Sequence, residues 1–358
     1  MSLESIIGAV AVLAVVIFVH ELGHFSVAKW CGVEVLTFSM GFGPTIFSRK
    51  IGETTYRLAL IPFGGYVRMA GQEEDGDEPP TDPTRGFSVK TLRQRSAIVA
   101  AGPAVNIVFA FVVMFVAYYG YGQLVHSDLA QVGGLVTGAP AEQGGLEVGQ
   151  VIEAVDGSAV TGWDDFSALV RESGGKTLVL TVRDGSGASV AREVTPLVTE
   201  QRDEFGELVG ESYMIGIQRH FDHEPSGLFE SIRLAGFSTY RMSAMIFTMI
   251  GRLIQGRVDA SDLGGPIMIA QEAGRLAETG LEPLLRFIAL ISVNLGVLNI
   301  LPIPVLDGGH LFFFVIEGLR GKPLSIRYRE IAQQFGVLLL VALMVFVVFN
   351  DISRIVAG

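Results

Sequence analysis

Residues 6–24 read IIGAVAVLAVVIFVHELGH, an unbroken apolar run from Ile6 to Val19 that passes directly into His20-Glu21-Leu22-Gly23-His24. At about 1.5 Å of helical rise per residue, the run before His20 is too short to cross the roughly 30 Å core of a bilayer. It reaches spanning length only by continuing through the two histidines and the glutamate to about Trp30. A cleaved signal peptide is the competing reading, but Glu4 stands where a positive n-region belongs and no A-x-A-like site follows the run. Ionisable groups inside an apolar segment are unfavourable unless they bind something, so span and motif have to be interpreted together.

The composition agrees with a membrane protein. About half of the 358 residues are hydrophobic and 18% are charged, and the mean hydropathy is +0.46. This balance implies several membrane spans joined to at least one water-facing domain. A net charge of −11 with no basic stripe argues against nucleic acid as a partner. The single cysteine, Cys31, rules out an internal disulfide framework and a cysteine-rich metal site, and is expected to be a buried, inert thiol.

Three further spans follow. Ala97 to Tyr119 is apolar, broken by Gly102-Pro103, and carries Asn106. Phe287 to Ile316 is apolar but interrupted by Asn294, Asn299, Pro302, Pro304, Asp307 and His310. Such a broken helix is tolerated in a membrane where it lines a protein-walled or watery cavity. Phe335 to Phe349 is the fourth run, with nothing polar in it. The expected segmentation is a first span over 1–30, a cytoplasmic or re-entrant β region over 31–95, a second span over 96–121, and a broken third span over 284–317. A loop over 318–334 and a fourth span over 335–352 complete it. Arg85, Lys90, Arg93 and Arg95 precede the second span, and Arg320, Lys322, Arg327 and Arg329 lie between the third and fourth. The positive-inside rule therefore predicts that 31–95 and 318–334 are cytoplasmic, with both termini and the long 122–283 segment on the other side.

Between Val35 and Met69 the pattern is strand-like, with turn signals at Gly41-Phe42-Gly43-Pro44 and Pro62-Phe63-Gly64-Gly65. Gln72 to Arg85 is acidic and proline-rich, and is expected to be a flexible surface loop. Residues 122–200 are expected to hold an independent α/β domain on the extracytoplasmic side. It contains Gly133-Gly134-Leu135-Val136, a helix around Asp164–Glu172 and a strand at Thr177–Arg183. Strands and amphipathic helices at the membrane surface are expected over 201–283. Crossing the bilayer with Phe229–Ile254 would bury Arg241 near the middle, which a surface helix avoids.

On a helix, His20 and His24 lie one turn apart and can share one zinc ion. Glu21 falls beside them, where it can take a proton from water on the metal and deliver it to the leaving amine. Zinc catalysis needs a third protein ligand and an open fourth position. Asp307 is the only carboxylate between Arg286 and Glu317, and Gly308-Gly309 after it permits close backbone approach. His310 is the competing donor, with a supporting polar role as its alternative. His126, His220 and His223 lie in the water-facing region without ligand spacing to His20.

With His20-Glu21-Leu22-Gly23-His24 and Asn299-Ile300-Leu301-Pro302-Ile303-Pro304-Val305-Leu306-Asp307-Gly308 both present, nearly the whole chain resembles the site-2 protease family. These are intramembrane zinc metalloproteases, and the bacterial regulator-of-sigma-E branch is the most similar. The resemblance implies that His20, His24 and Asp307 ligate one Zn2+, that Glu21 is the catalytic acid/base, and that Asn299 helps to hold the substrate strand. It further implies substrate contacts at Pro302 and at Gly41, Phe42 and Gly43, in a re-entrant β-hairpin that pairs with an unwound helix. Residues 129–197 resemble a PDZ domain, with Gly133, Gly134, Leu135 and Val136 at its peptide site. The best-studied relatives carry two such domains in tandem, whereas this chain has room for one. Gly264-Gly265-Pro266-Ile267 resembles a family segment preceding the third span.

The implied fold is thus a polytopic α-helical membrane protein of about four spans, with the β-hairpin region and one inserted α/β PDZ domain. The implied location is the bacterial inner membrane. The implied substrates are single-pass membrane proteins already trimmed by another protease, such as an anti-sigma factor, or remnant signal peptides. The rivals are a transporter, which predicts internal repeats that are not found; a catalytically inactive PDZ scaffold, which would not need Glu21; and a soluble zincin, against which the flanking apolar runs argue.

Overall fold

The computed structural model describes residues 3–72, 81–202, 208–257 and 264–357. It divides into two compact units, one formed by residues 1–118 with 228–358 and the other by 119–227. Residues 73–80 of the expected acidic loop lie outside the described residues.

Leu3–Trp30 forms helix α1, which runs through the histidine motif without interruption. The chain then forms β1 (Val35–Ile51) and β2 (Thr54–Met69), an antiparallel pair with repeated register shifts. Those shifts let Thr37–Met40 pair with Thr55–Leu58 on one side and with Gly65–Arg68 on the other. Gly65–Met69 is therefore an edge segment, and no strand among the described residues covers its other side. Of the acidic loop, Thr81 donates its backbone N–H to Glu34 at 2.7 Å and Pro83–Arg85 forms a short 3-10 turn. Arg85 pairs with Glu53 at 2.7 Å, and Lys29 bonds the same carboxylate. The two cations hold the Glu53 carboxyl below its usual pKa, Arg85 contributing most. This end of the loop is tied down, against the expectation of a flexible surface segment. Cys31 is half-buried rather than buried.

Helix α2 (Leu92–Tyr121) is continuous through Pro103, where a break was expected. One proline removes one N–H, and neighbouring segments in a packed bundle can compensate for that loss.

The second unit contains, in chain order, β3 (Gln123–His126), β4 (Val132–Leu135), α3 (Pro140–Gln143), β5 (Val151–Val155), β6 (Ser158–Ala159), α4 (Trp163–Glu172), β7 (Leu178–Arg183), β8 (Ser189–Val194), β9 (Leu197–Arg202), β10 (Leu208–Met214), β11 (Ile217–Arg219) and β12 (Phe221–Glu224). A four-stranded sheet of order β6-β5-β7-β8 packs Ile152, Leu180 and Val182 against Phe166 and Val170 of α4. The unit extends to residue 227 rather than stopping near 200, because strands close to its end complete its sheets. Ile217 pairs with Leu135, and Phe221 pairs with His126. First and last strands are partners, so the chain enters and leaves this unit side by side.

The first unit resumes with α5 (Leu228–Ile254), α6 (Pro266–Thr279), α7 (Leu281–Ile300), α8 (Asp307–Arg320) and α9 (Ile326–Ala357). Among the described residues, four helical segments are long and apolar enough to cross a membrane: Gly8–Trp30, Leu92–Tyr121, Leu281–Ile300 and Ile326–Val356. The amphipathic α5 is not among them; it packs Ala235, Met242 and Ile246 against α2 and α7. Helix α9 starts at Ile326, so the second half of the expected 318–334 loop is helical. The third span breaks where expected. Leu301, before Pro302, has ψ 144°, the extended geometry that a following proline ring favours. Helix restarts at Asp307 after Leu306, itself extended.

Asp351, buried near the end of α9, accepts from the backbone N–H groups of Gly265, Ile267 and Met268 at 2.9, 3.0 and 3.2 Å. It caps α6, whose own N-cap residue, Gly265, offers no side-chain acceptor. Helix α6 in turn packs Ala273 against Val12 and Val16 of α1. Asp351→Ala should destabilise the protein by about 1–2 kcal/mol, seen as a melting temperature lowered by a few degrees in detergent; an unchanged melting curve would show that the cap is dispensable.

Candidate metal centre

The three donors of the site come from two helices. His20 and His24 sit one turn apart on α1, and Asp307 opens α8 immediately after the proline-bounded break. His20 Nε2 and His24 Nε2 are 3.2 Å apart, and Asp307 Oδ2 lies 3.2 Å from the first and 3.4 Å from the second. Among the described residues this is the group of three whose donor atoms converge. His310 lies on the wall of the same cavity, outside the triangle.

The spacing tests whether a metal fits. Tetrahedral zinc with bonds of about 2.0–2.1 Å places its donor atoms roughly 3.3 Å apart, which is the spacing found along all three edges. Asp307 Oδ2 is buried and has no hydrogen-bond partner. His24 Nδ1 donates to the carbonyl oxygen of Ile98 at 2.9 Å, which leaves the lone pair of neutral His24 on Nε2, facing the triangle. Lone pairs converging in a buried place repel one another unless a cation lies between them. The residues present fit zinc.

Close approach of α2 makes this possible. A Cβ on Gly102 would stand 2.3 Å from His24 Nε2 and 2.9 Å from His20 Cε1. A Cβ on Gly308 would meet the carbonyl oxygens of Ile300 and Leu301 at 2.2 Å, so only glycine lets α8 begin this close to the end of α7.

A cavity of about 780 Å³ opens onto the triangle and is lined by His20, Glu21, His24 and Asp307. Its polar wall carries Arg95, Glu317, Arg329, Glu330 and Gln333, a surface that water can wet. Arg95 grips Glu317 with two bonds of 2.6 and 3.3 Å, joining α2 to the helix that carries Asp307. Along the cavity run Gly65, Tyr66, Val67 and Met69 of the edge segment. Gly65 abuts Glu21 so closely that a Cβ there would lie 2.9 Å from Glu21 Cγ.

The residues expected from the sequence are distributed unevenly. Asn299 reaches the centre, its Nδ2 3.4 Å from His20 Nε2. Pro302 is exposed in the break and does not line the cavity. Gly41, Phe42 and Gly43 lie where β1 turns outward, and only Phe42 reaches towards the site, its ring stacked on Tyr66 at 6.1 Å. The backbone beside Glu21 is Gly65–Val67, which the sequence marked as the end of a turn signal and the strand-like stretch after it, not as part of the site. Gly133, Gly134, Leu135 and Val136 belong to the second unit; Gly134 and Leu135 pair with β11, and Val136 donates to Gly216. That edge of β4 is taken. On the partner strand β11, Arg219 lies 5.9 Å from the Trp163 ring of α4. Arg95, Glu317 and Asn106 were also missed as members of the site; a lone asparagine in an apolar span was the available signal for the last.

Peptidase family M50 matches the chain over residues 8–343. The chain is similar to proteins named as zinc metalloproteases from Agrobacterium fabrum, 34% identical over 98% of this chain and 96% of the relative, and from Mesorhizobium japonicum, 36% identical over 98% and 99%. It is also similar to the regulator of sigma-E protease RseP of Escherichia coli, 33% identical over 97% of this chain and 98% of the relative.

Gly102→Ala should weaken zinc binding by about 10–100-fold, the range for disturbing groups that orient metal ligands, measured by chelator competition on the purified protein. Gly236→Ala, where the new methyl meets nothing closer than 3.9 Å, is the control and should leave it unchanged.

Proposed function

The chain belongs to peptidase family M50 and is a site-2 type zinc metalloprotease, and on that premise we propose that it hydrolyses peptide bonds within membrane-spanning segments of single-pass proteins. The observation that carries this reading is the triangle of His20, His24 and Asp307, with zinc-like spacing, whose two histidines lie on a helix long and apolar enough to span a bilayer. His20, His24 and Asp307 would hold the metal and leave a fourth position open towards the cavity. When bound, zinc supplies Lewis acidity, polarising a peptide carbonyl and making water a better nucleophile at neutral pH.

The chain's own residues supply the rest. Glu21 takes the proton of the attacking water and passes it to the leaving nitrogen as the C–N bond breaks. A peptide bond locked in a helix is inaccessible, so the substrate has to be unwound. Gly65–Met69 is suited to receive it, as an edge segment that runs beside Glu21 along the cavity. Asn299, whose Nδ2 lies 3.4 Å from His20 Nε2, would help to hold the substrate strand at the metal. Residues 119–227 serve as a PDZ-like module whose peptide edge is Ile215–Arg219, facing α4. The substrates are pre-trimmed membrane proteins such as an anti-sigma factor, or remnant signal peptides. The enzyme resides in the bacterial inner membrane with 31–95 and 318–334 in the cytoplasm and the PDZ-like module outside, as the distribution of Arg and Lys favours.

Glu21→Gln should retain one zinc per chain and lose about 10²–10⁴-fold in cleavage rate when co-expressed with a single-pass substrate. Equal cleavage by variant and wild type would refute the mechanism.

A further inference from the structure

Asn106 sits on α2 with no exposed surface, in the middle of an apolar span. A primary amide in such a place is unfavourable unless its polar atoms are used. Its side chain meets the outer nitrogen of His20: the Nδ2 position lies 3.4 Å from His20 Nδ1, and the Oδ1 position has no hydrogen-bond partner. The backbone beside it is held as well, since Ser292 Oγ of α7 donates to the Asn106 carbonyl oxygen at 2.8 Å.

The protonation of His20 decides which amide atom belongs where. His20 faces the donor triangle with Nε2, so metal binding requires Nε2 to be unprotonated. A neutral imidazole then carries its proton on Nδ1. With the amide nitrogen turned towards Nδ1, two N–H donors confront each other and Oδ1 stays orphaned. Turning the amide by half a rotation, a choice that leaves the shape of the side chain unchanged, brings Oδ1 to the Nδ1–H. The donor–donor clash is removed, and a single amide N–H2 remains unmatched in place of a clash plus an orphaned acceptor.

We propose that Asn106 is a positioning residue of the metal centre: its side-chain oxygen accepts the Nδ1–H of His20 and so fixes the rotation of the ring, with Nε2 aimed at the metal. The inference rests on the ligand set proposed above. It gives the two histidines matching supports from one helix, the Ile98 carbonyl for His24 and the Asn106 amide oxygen for His20. The two acceptors on α2 hold two donors on α1, so α2 sets the orientation of both rings.

Two near-isosteric variants of the full-length protein test it, with zinc affinity measured by chelator competition. Asn106→Asp offers only acceptors to His20 and should bind zinc as tightly as the wild type or more tightly. Asn106→Leu offers none and should bind it about 10–100-fold more weakly, while melting of the metal-free protein reports separately on the fold. In cobalt-loaded protein the visible d–d bands should coincide for wild type and Asn106→Asp. Loss of affinity in Asn106→Asp would show that the amide nitrogen is the needed group and overturn the proposal, whether or not the leucine variant folds. Wild-type affinity in a folded Asn106→Leu would overturn it too. If His20→Ala binds zinc as well as the wild type does, the ligand set itself is wrong and the proposal falls with it, a result distinct from either Asn106 outcome.

Discussion

Three donor atoms, two imidazole nitrogens and a carboxylate oxygen, are held 3.2–3.4 Å apart among apolar helices. Most of the first unit can be understood as what is needed to hold that arrangement together. Buried lone pairs in mutual contact are tolerable only around a cation, and a cation site is useful only if its ligands cannot rotate away. Helix α2 meets both demands, because Gly102 lets it approach the imidazoles and its Ile98 carbonyl oxygen takes the outer N–H of His24. The carboxylate comes from a helix that has to begin, rather than pass through, at the depth of the histidines. Two prolines end α7, and Asp307 stands in the first turn of α8, where a negative charge is favoured by the helix dipole.

The break in the third span and the β-hairpin follow the same logic from the side of the substrate. Non-helical backbone at membrane depth is tolerated only where it is buried in protein or borders a cavity. Both irregular segments lie beside the cavity, the 301–306 break before Asp307 and the edge segment Gly65–Met69 beside Glu21. An edge segment has free N–H and C=O groups, which is a liability in a soluble protein and, under the proposed function, an asset for receiving a substrate drawn out of its helix. The polar wall around Arg95 and Glu317 allows water, the second reactant, to reach a site otherwise walled by apolar side chains.

Gains and losses in the legibility of this site follow the range of the interactions involved. Spacing along one helix is local, so His20 and His24 announce their shared face, and the proline pair announces the break before Asp307. The edge that borders Glu21 is not local. Register shifts in the hairpin carry Gly41–Gly43 outward and bring Gly65–Val67 in, and nothing in the composition of either stretch reveals which one approaches α1. Likewise β4 looks like a free glycine-rich segment until Ile217–Arg219, far along the chain, pairs with it.

By itself the sequence determined the four spans, the placement of the histidine motif inside the first, the interruption of the third and the candidacy of Asp307. Each depends on hydrophobic run length, helical period or proline geometry, which act within a few residues. Only the tertiary structure decided that Asp307 rather than His310 meets the histidines, that Asn106 faces His20, that Asp351 caps α6, and which hairpin segment flanks Glu21. Those contacts join segments distant in sequence, and their geometry is set by how closely whole helices pack, which at Gly102 and Gly308 turns on the absence of a single methyl group.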